Sequence, residues 1–344
     1  MEQLIIKETG IKASRAIGKH VDYEDNKVLV VATSTQFNID NQPEKTYDTI
    51  INIKKINDTM QINRFFEAVN SKLPLGGIFV SCAETKRLRK MRILKKYPFV
   101  INYIYYCLDF IVKRIFPKLP VTRNIYFFLT NGRNRVISKT EYLGRLYSCG
   151  FEVVEENRIK GLLYVTAFKT GEPLYDKNPT YGPLIRLKRV GRNGALFNVY
   201  KFRTMHPYAE YLQNYIYQKT ALGVGGKFKH DFRVSTLGHI FRKFWIDELP
   251  MVINILKGQM KLVGVRPLSK HYFSLYTKET QKRRINYKPG LIPPYYADLP
   301  DTLDEIEASE MKYMCAYDKH PFLTDVRYFF KAFYNILIKS ARSK

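Results

Sequence analysis

Apolar residues fall in two rhythms along the first half of the chain. Val28-Leu29-Val30-Val31-Ala32 and Thr49-Ile50-Ile51-Asn52-Ile53 are short apolar runs, the pattern of a buried strand. Over 60–73 the period changes. Ile62, Phe65, Phe66, Val69 and Leu73 recur at helical spacing until Pro74-Leu75-Gly76-Gly77 ends the pattern, and the strand Ile78-Phe79-Val80-Ser81 follows. Glu141–Ser148 again reads as helix, stopped by Gly150, and Phe151–Glu155 with Leu162–Phe168 reads as a hairpin. Strand and helix alternate, so the fold class expected for 1–170 is α/β. A stretch rich in Gly, Pro and Asn (171–182) is the expected linker, and a second, α+β domain is expected over 183–344.

One segment breaks this order. Residues 86–96 carry seven basic residues, with Leu88, Met91 and Leu94 three apart, and 97–116 is dense in Ile, Tyr and Phe before Pro117 and Pro120. A polybasic stretch beside an aromatic one suits a membrane-contact insertion over 86–130, cations on anionic headgroups and rings at the boundary. The alternative is a solvated basic helix and a second helix covering the sheet. Asn102, Asp109, Lys113 and Arg114 argue against a span, and no uncharged run reaches the roughly 20 residues a crossing requires.

Charge narrows the partners. The formal net charge is +26 over 344 residues, which points to anionic partners: nucleic acid, an acidic membrane face or phosphorylated substrates. The 45% hydrophobic content suffices for two cores. Cys82, Cys107, Cys149 and Cys315 lie far apart with no CxxC pair, so neither a zinc site nor a disulfide framework is expected. A reducing, cytoplasmic side is expected on the same ground.

The densest chemistry lies in the second half. Asp247 and Glu248 precede Pro250 at the start of a helix expected over Leu249–Leu256, with Gly258 as its stop. Adjacent acids at a helix start serve as caps in many proteins, yet two in a row leave one for other work. Arg242 lies five residues upstream and Arg266 sits in the turn Gly264-Val265-Arg266-Pro267. Arg189 and Arg192 flank a hairpin turn at Gly191 and Gly194 that leads into a strand ending at Lys201 and Arg203. Guanidinium groups match phosphate geometry and stay charged, so this set points to a diphosphate handled beside two carboxylates.

Three stretches, Arg189–Met205, Phe241–Pro267 and Lys288–Gly290, closely resemble the bacterial sugar transferase family, the monotopic phosphoglycosyl transferases. The resemblance spans about 183–294, with a weaker tail to 338. It implies transfer of a sugar 1-phosphate from a UDP-sugar to undecaprenyl phosphate with release of UMP, at the cytoplasmic face of the bacterial inner membrane without spanning it. By position, Asp247 matches the nucleophile that forms a phosphosugar ester, and Glu248 its partner in proton handling or metal placement. Arg242 and Arg266 match residues that grip the diphosphate, and Lys201 and Arg203 the basic motif beside the dyad. Mg²⁺ is the expected cofactor, held at Asp247 and Glu248, since it takes oxygen ligands and bridges carboxylate to phosphate. Arginines and metal together are expected to hold Asp247 ionised. Two departures stand out: the re-entrant hydrophobic helix usual before the Arg189 motif is missing there, and Leu291–Tyr296 replaces a tryptophan-containing motif.

The first domain resembles the second half of a class I methyltransferase, but Ala32-Thr33-Ser34-Thr35 stands where a glycine-rich cofactor loop belongs, so a scaffold is expected. A glycan methyltransferase and a basic nucleic-acid binder are the competing readings; the second lacks a known module, and no nucleic-acid partner is expected. A homo-oligomer is left open. His271 is expected to be structural and Trp245 to pack in the core. The acidic stretch of Asp298, Asp301, Asp304, Glu305, Glu307 and Glu310 is expected to be a solvated helix face. The basic, aromatic C-terminal helix fits either packing on the domain or headgroup contact.

Overall fold

The computed structural model describes residues 2–175, 182–219 and 231–338. The chain divides into two units, Met1–Tyr181 with His206–Ile216, and Gly182–Met205 with Tyr217–Lys344. Residues 206–216, placed by the sequence pattern in the second domain, thus belong with the first unit.

The first unit opens with two helices the pattern did not announce, α1 (Glu2–Thr9) and α2 (Ile11–Ile17), whose Ile5, Ala13 and Ile17 are buried against the sheet. Then come β1 (Val28–Val31), α3 (Phe37–Asp40), β2 (Thr49–Lys55), α4 (Ile62–Lys72) and β3 (Ile78–Ala83). An inserted helical region holds α5 (Lys86–Lys96), α6 (Ile101–Phe110) and α7 (Pro120–Thr130). After it follow α8 (Lys139–Ser148), β4 (Phe151–Ile159) and β5 (Leu162–Lys169). The sheet order is β1-β2-β3-β5-β4. The first three strands run parallel, and β5 pairs antiparallel with both β3 and β4. The expected hairpin and α/β class are present. Phe65, Phe66, Phe79, Tyr142 and Phe151 meet edge-on or tilted at 5.4–6.5 Å and fill the core on one sheet face. Ser138 starts α8 by accepting the Glu141 N–H at 3.0 Å, the usual N-cap device.

The insertion is tied down by charge. Arg89 is 1% exposed and donates bidentately to Asp109, Nε to Oδ2 at 2.6 Å and Nη2 to Oδ1 at 2.8 Å. The buried face of α5 is therefore Arg89 and Ile93, while Met91 is exposed, which corrects the expected Leu88/Met91/Leu94 stripe. Arg89 and Lys113 hold the Asp109 carboxyl below its usual range despite its burial. Outward, the same region bares a run of large apolar side chains that includes Phe99, Ile104, Leu108, Ile125, Phe128 and Leu129. Among the described residues, no helix is long and apolar enough to cross a membrane.

The second unit begins with the hairpin β6 (Leu184–Val190) and β7 (Leu196–Phe202); α9 (Gln213–Lys219) follows in the chain, its residues up to Ile216 belonging to the first unit. Next are α10 (Thr236–Lys243), a 3₁₀ turn over Ile246–Met251, α11 (Val252–Leu256), β8 (Lys261–Val263) and α12 (Lys270–Ser274). The unit closes with α13 (Lys278–Arg284), β9 (Gly290–Ile292), α14 (Tyr295–Asp298), α15 (Leu303–Lys319) and α16 (Pro321–Leu337). Its core gathers Val263, Val265, Tyr295, Tyr296, Tyr313, Met314, Tyr328 and Ala332. Strands β8 and β9 pair in parallel, and a Cβ on Gly290 would lie 2.1 Å from the Gly264 amide nitrogen. Only glycine permits that approach, which explains why both the Gly264 and Lys288–Gly290 motifs carry one. Helix α16 packs Tyr328, Ala332 and Asn335 inward and leaves Phe322, Phe330 and Phe333 exposed; the chain beyond 338 lies outside the described residues.

Candidate active site

Strand β7 delivers Lys201, and its position is fixed from the neighbouring turn. Asn254, fully buried at the centre of α11, accepts the Tyr200 N–H at 3.1 Å and donates to the Asn198 carbonyl at 2.7 Å. Lys201, next along, reaches Glu248 Oε1 with its ammonium at 2.6 Å. Asp247 and Glu248 lie in the first turn of the 3₁₀ segment, not at the start of the expected α-helix, which begins only at Val252. Neither acid caps a helix; the residue at the N-cap is Trp245, held in the left-handed region at φ 53°. That conformation costs on the order of 1–3 kcal/mol and persists only where packing enforces it. Packing is present: the indole meets the Tyr296 ring edge-on at 5.8 Å and donates to its hydroxyl at 3.1 Å. Trp245, part-buried, thus packs against the core of this unit.

Arg242 reaches the site from α10. Ser235 caps that helix, and a Cβ on Gly238 would sit 1.9 Å from the Thr204 carbonyl oxygen, so α10 lies almost on the backbone after β7. Arg242 Nε then donates to Thr204 Oγ1 at 3.0 Å. Asp247 is half-buried, and burial first, then the Glu248 carboxylate, push its carboxyl above the ordinary range. Lys201 and Arg242 pull the other way without offsetting this. In the free protein desolvation and the like charge at the next residue thus outweigh the neighbouring cations.

A cavity of about 410 Å³ opens beside this turn, and Arg189, Lys201, Glu248 and Arg266 share its lining with Ser269, Tyr272, Tyr295 and Asp301. Four of the eight residues singled out from sequence thus converge on one space. Asp247 and Arg242 are not part of its lining. Arg192 sits exposed at the β6–β7 hairpin tip, and Arg203 donates to the Gly182 carbonyl at 2.8 Å; neither lines the cavity. His271 also lies outside the lining.

Arg266 is held by residues that no motif announced. Its N–H donates to Glu310 Oε1 at 2.9 Å, and Glu310 Oε2 accepts Arg284 Nε at 2.7 Å. Arg284 also donates to the Arg266 carbonyl. Glu310 is 0% exposed and Arg284 3%. The acidic stretch is therefore no uniformly solvated face: Glu305 closes a capping box with Thr302, Glu307 accepts from Thr277, and Glu310 is buried. The Arg266 guanidinium rests 5.2 Å from the Tyr295 ring.

Two carboxylates on adjacent residues offer oxygen donors but no closed cage, and among the described residues no cluster of three His, Cys, Asp or Glu could hold a metal. Such an open pair fits Mg²⁺, which keeps waters and takes part of its shell from substrate phosphates.

Residues 174–339 match the family model described as bacterial sugar transferase. Over these residues, just under half of the chain, the protein is similar to the bacterial sugar transferase family. Similar curated proteins carry matching names. The galactosyl transferase CpsE of Streptococcus agalactiae serotype III is 43% identical over 112 residues, 32% of this chain and 25% of that protein. The uncharacterized sugar transferase EpsL of Bacillus subtilis is 36% identical over 127 residues, 37% of this chain and 52% of that protein. The undecaprenyl-phosphate galactose phosphotransferase of Salmonella typhimurium is 37% identical over 109 residues, 30% of this chain and 23% of that protein. The chain thus spans about half of one of these sugar transferases and about a quarter of the other two.

Proposed function

We propose that this sugar transferase moves a sugar 1-phosphate from a UDP-sugar to undecaprenyl phosphate and releases UMP, as the first membrane step of a surface glycan. The observation that carries the reading is the cavity where Glu248, Lys201, Arg189 and Arg266 converge, in a fold whose relatives are named for this transfer.

Arg189 and Arg266 neutralise the donor diphosphate, without which a carboxylate could not approach it. An Asp247 oxygen bonds to the sugar-bearing phosphorus while the bridging oxygen leaves with UMP. An oxygen of the acceptor phosphate then attacks the same phosphorus and returns the carboxylate. Lys201 leaves Glu248 for the departing phosphate, so Glu248 gains freedom to take part in proton handling. Bound at Asp247 and Glu248, Mg²⁺ would supply charge neutralisation at the phosphate oxygens. The raised Asp247 affinity for protons makes that carboxylate a stronger nucleophile once ionised, and the cations of the bound state favour ionisation.

The enzyme works on the cytoplasmic face of the inner membrane, and the 86–130 insertion rests on anionic lipid. Exposed Lys90, Lys95 and Lys96 stand beside exposed Phe99, Tyr103 and Ile104, with the Lys90 ammonium over the Tyr103 and Tyr106 rings at 5.9 and 5.4 Å. The first unit serves as a scaffold: β1 is followed by the four-residue α3, and Thr33 is bonded to Asn52 where a cofactor loop would need glycines.

Purified protein is incubated with UDP-sugars, undecaprenyl phosphate and Mg²⁺, and UMP release is scored. Asp247→Asn abolishes release, and the trapped wild-type protein carries a phosphosugar on Asp247 by mass spectrometry. Turnover by Asp247→Asn, or an adduct on Glu248 instead, overturns the assignment.

A further inference from the structure

Helix α16 has two opposed faces, and the inner one fixes how the helix is turned. Asn335 donates from Nδ2 to the Tyr296 and Ala297 carbonyls at 3.0 and 2.9 Å, and the Tyr328 ring meets Tyr313 edge-on at 5.0 Å. Asp325, the one carboxylate in the helix, is engaged on the same side. It accepts from the Lys261 ammonium at 2.9 Å and from the Tyr313 hydroxyl at 2.6 Å. With these bonds made, the helix cannot roll to hide its other side.

That other side is a stripe of large apolar groups. Phe322, Val326, Phe330 and Phe333 follow at steps of four, four and three residues, with Leu323 and Tyr334 beside them. All six are exposed, Phe322 at 77% and Phe330 at 65%. Scattered single apolar residues at a surface are ordinary. A continuous line of them along a 17-residue helix, about 25 Å long, marks an interaction face.

Charge decides the partner. Arg327 and Lys331 stand exposed one turn apart along the edge of the stripe, and the exposed Lys319 and His320 come just before the helix. With Asp325 tied to Lys261, the outer face offers cations and no carboxylate. An aromatic stripe bordered by cations suits a helix lying in the boundary of an anionic bilayer, rings among the acyl ends and cations at the headgroups. A second copy of the chain is a poorer partner, because each copy carries a net charge of +26 and brings the same cations to the contact.

We infer that the outer face of α16 is a membrane-contact surface of the second unit, additional to the insertion of the first, and that its partner is a bilayer with anionic headgroups. The inference rests on the reading that the enzyme works at a membrane surface and is independent of the chemistry at Asp247.

Binding is measured by flotation of the full chain, without sugar nucleotide, on vesicles of phosphatidylcholine and phosphatidylglycerol in equal parts. Phe322→Ser combined with Phe330→Ser is expected to weaken binding at least roughly tenfold. The urea midpoint read from Trp245 should not move, because both rings stand clear of the core. Phe330→Trp puts an indole on the stripe without removing apolar area, and acyl-brominated phosphatidylcholine should quench it beyond the quenching of Trp245 in the wild type. Equal binding by the double serine variant, or an indole the bromines do not reach, overturns the inference and leaves the insertion as the contact. A dimer in lipid-free solution that the serine variant dissociates makes a second copy the occupant and overturns it as well. No flotation of the wild type defeats the membrane reading itself, and this inference with it. Should the urea midpoint of the serine variant shift, the quenching of Phe330→Trp decides.

Discussion

Replacing Glu310 by alanine should damage both the stability of the second unit and the donor grip, and the size of the first effect follows from the geometry. Glu310 is fully buried and answers Arg284 Nε at 2.7 Å and the Arg266 N–H at 2.9 Å. Its removal strands a guanidinium that is 3% exposed and leaves a backbone amide without its acceptor. Breaking one side of a buried pair costs about 3–5 kcal/mol, roughly 10 °C in melting temperature for a unit of some 150 residues. Two units need not unfold together, so a global probe would blur the transition. The chain has a single tryptophan, Trp245, packed on Tyr296 within the same unit, so its fluorescence during urea denaturation reports that unit alone. The midpoint shift multiplied by the denaturant slope gives the loss. A companion variant, Arg284→Met with Glu310→Met, removes both charges and should recover most of the stability while still raising the donor KM, because Arg266 has lost its backbone clamp. A loss below about 1 kcal/mol for Glu310→Ala, within the range of an ordinary surface change, would refute the reasoning. So would a double variant less stable than the single one.

Other expectations concern the dyad and its supports. Because the Asp247 carboxyl is raised in the folded state, its contribution to stability is full at low pH and is lost as the pH rises through the folded value. Asp247→Asn should therefore melt above wild type at neutral pH, with the gain fading below about pH 4; a variant that melts lower at neutral pH would contradict the burial argument. Lys201→Met removes one influence that lowers Asp247, so the acid limb of kcat/KM against pH should move to higher pH, and an unmoved limb would detach Lys201 from the dyad. Gly238→Ala drives a methyl onto the Thr204 carbonyl, forces α10 away and should cost at least about 2 kcal/mol along with Arg242 function. Wild-type melting and turnover in that variant would mean that α10 docks differently.

Much of the first unit was legible because its strands are apolar runs and α4 places Phe65, Phe66 and Val69 at clean helical spacing. The helices over 2–17 were not, since their buried face is only Ile5, Thr9, Ala13, Ser14 and Ile17 among charged residues. At the site, the motifs correctly drew Lys201, Glu248, Arg189 and Arg266 to one cavity. Arg192 and Arg203 lie outside that lining, a difference the sequence could not show because an arginine beside a turn looks the same wherever it faces. Buried charges were the other blind spot. Nothing near Glu310 reveals its burial, because Arg284 lies 26 residues earlier, and Arg89 meets Asp109 across 20. One signal was available: α15 carries Tyr313 and Met314 on the same face as Glu310.

The bond between Lys201 and Glu248 gives the resting enzyme its own counter-ion. Were Mg²⁺ held there as proposed, an ion arriving alone would have to evict an ammonium from that carboxylate, whereas one arriving with a diphosphate would offer the displaced lysine a new anion. Metal and donor should therefore load as a pair, and the empty enzyme should stay indifferent to millimolar swings in free cation.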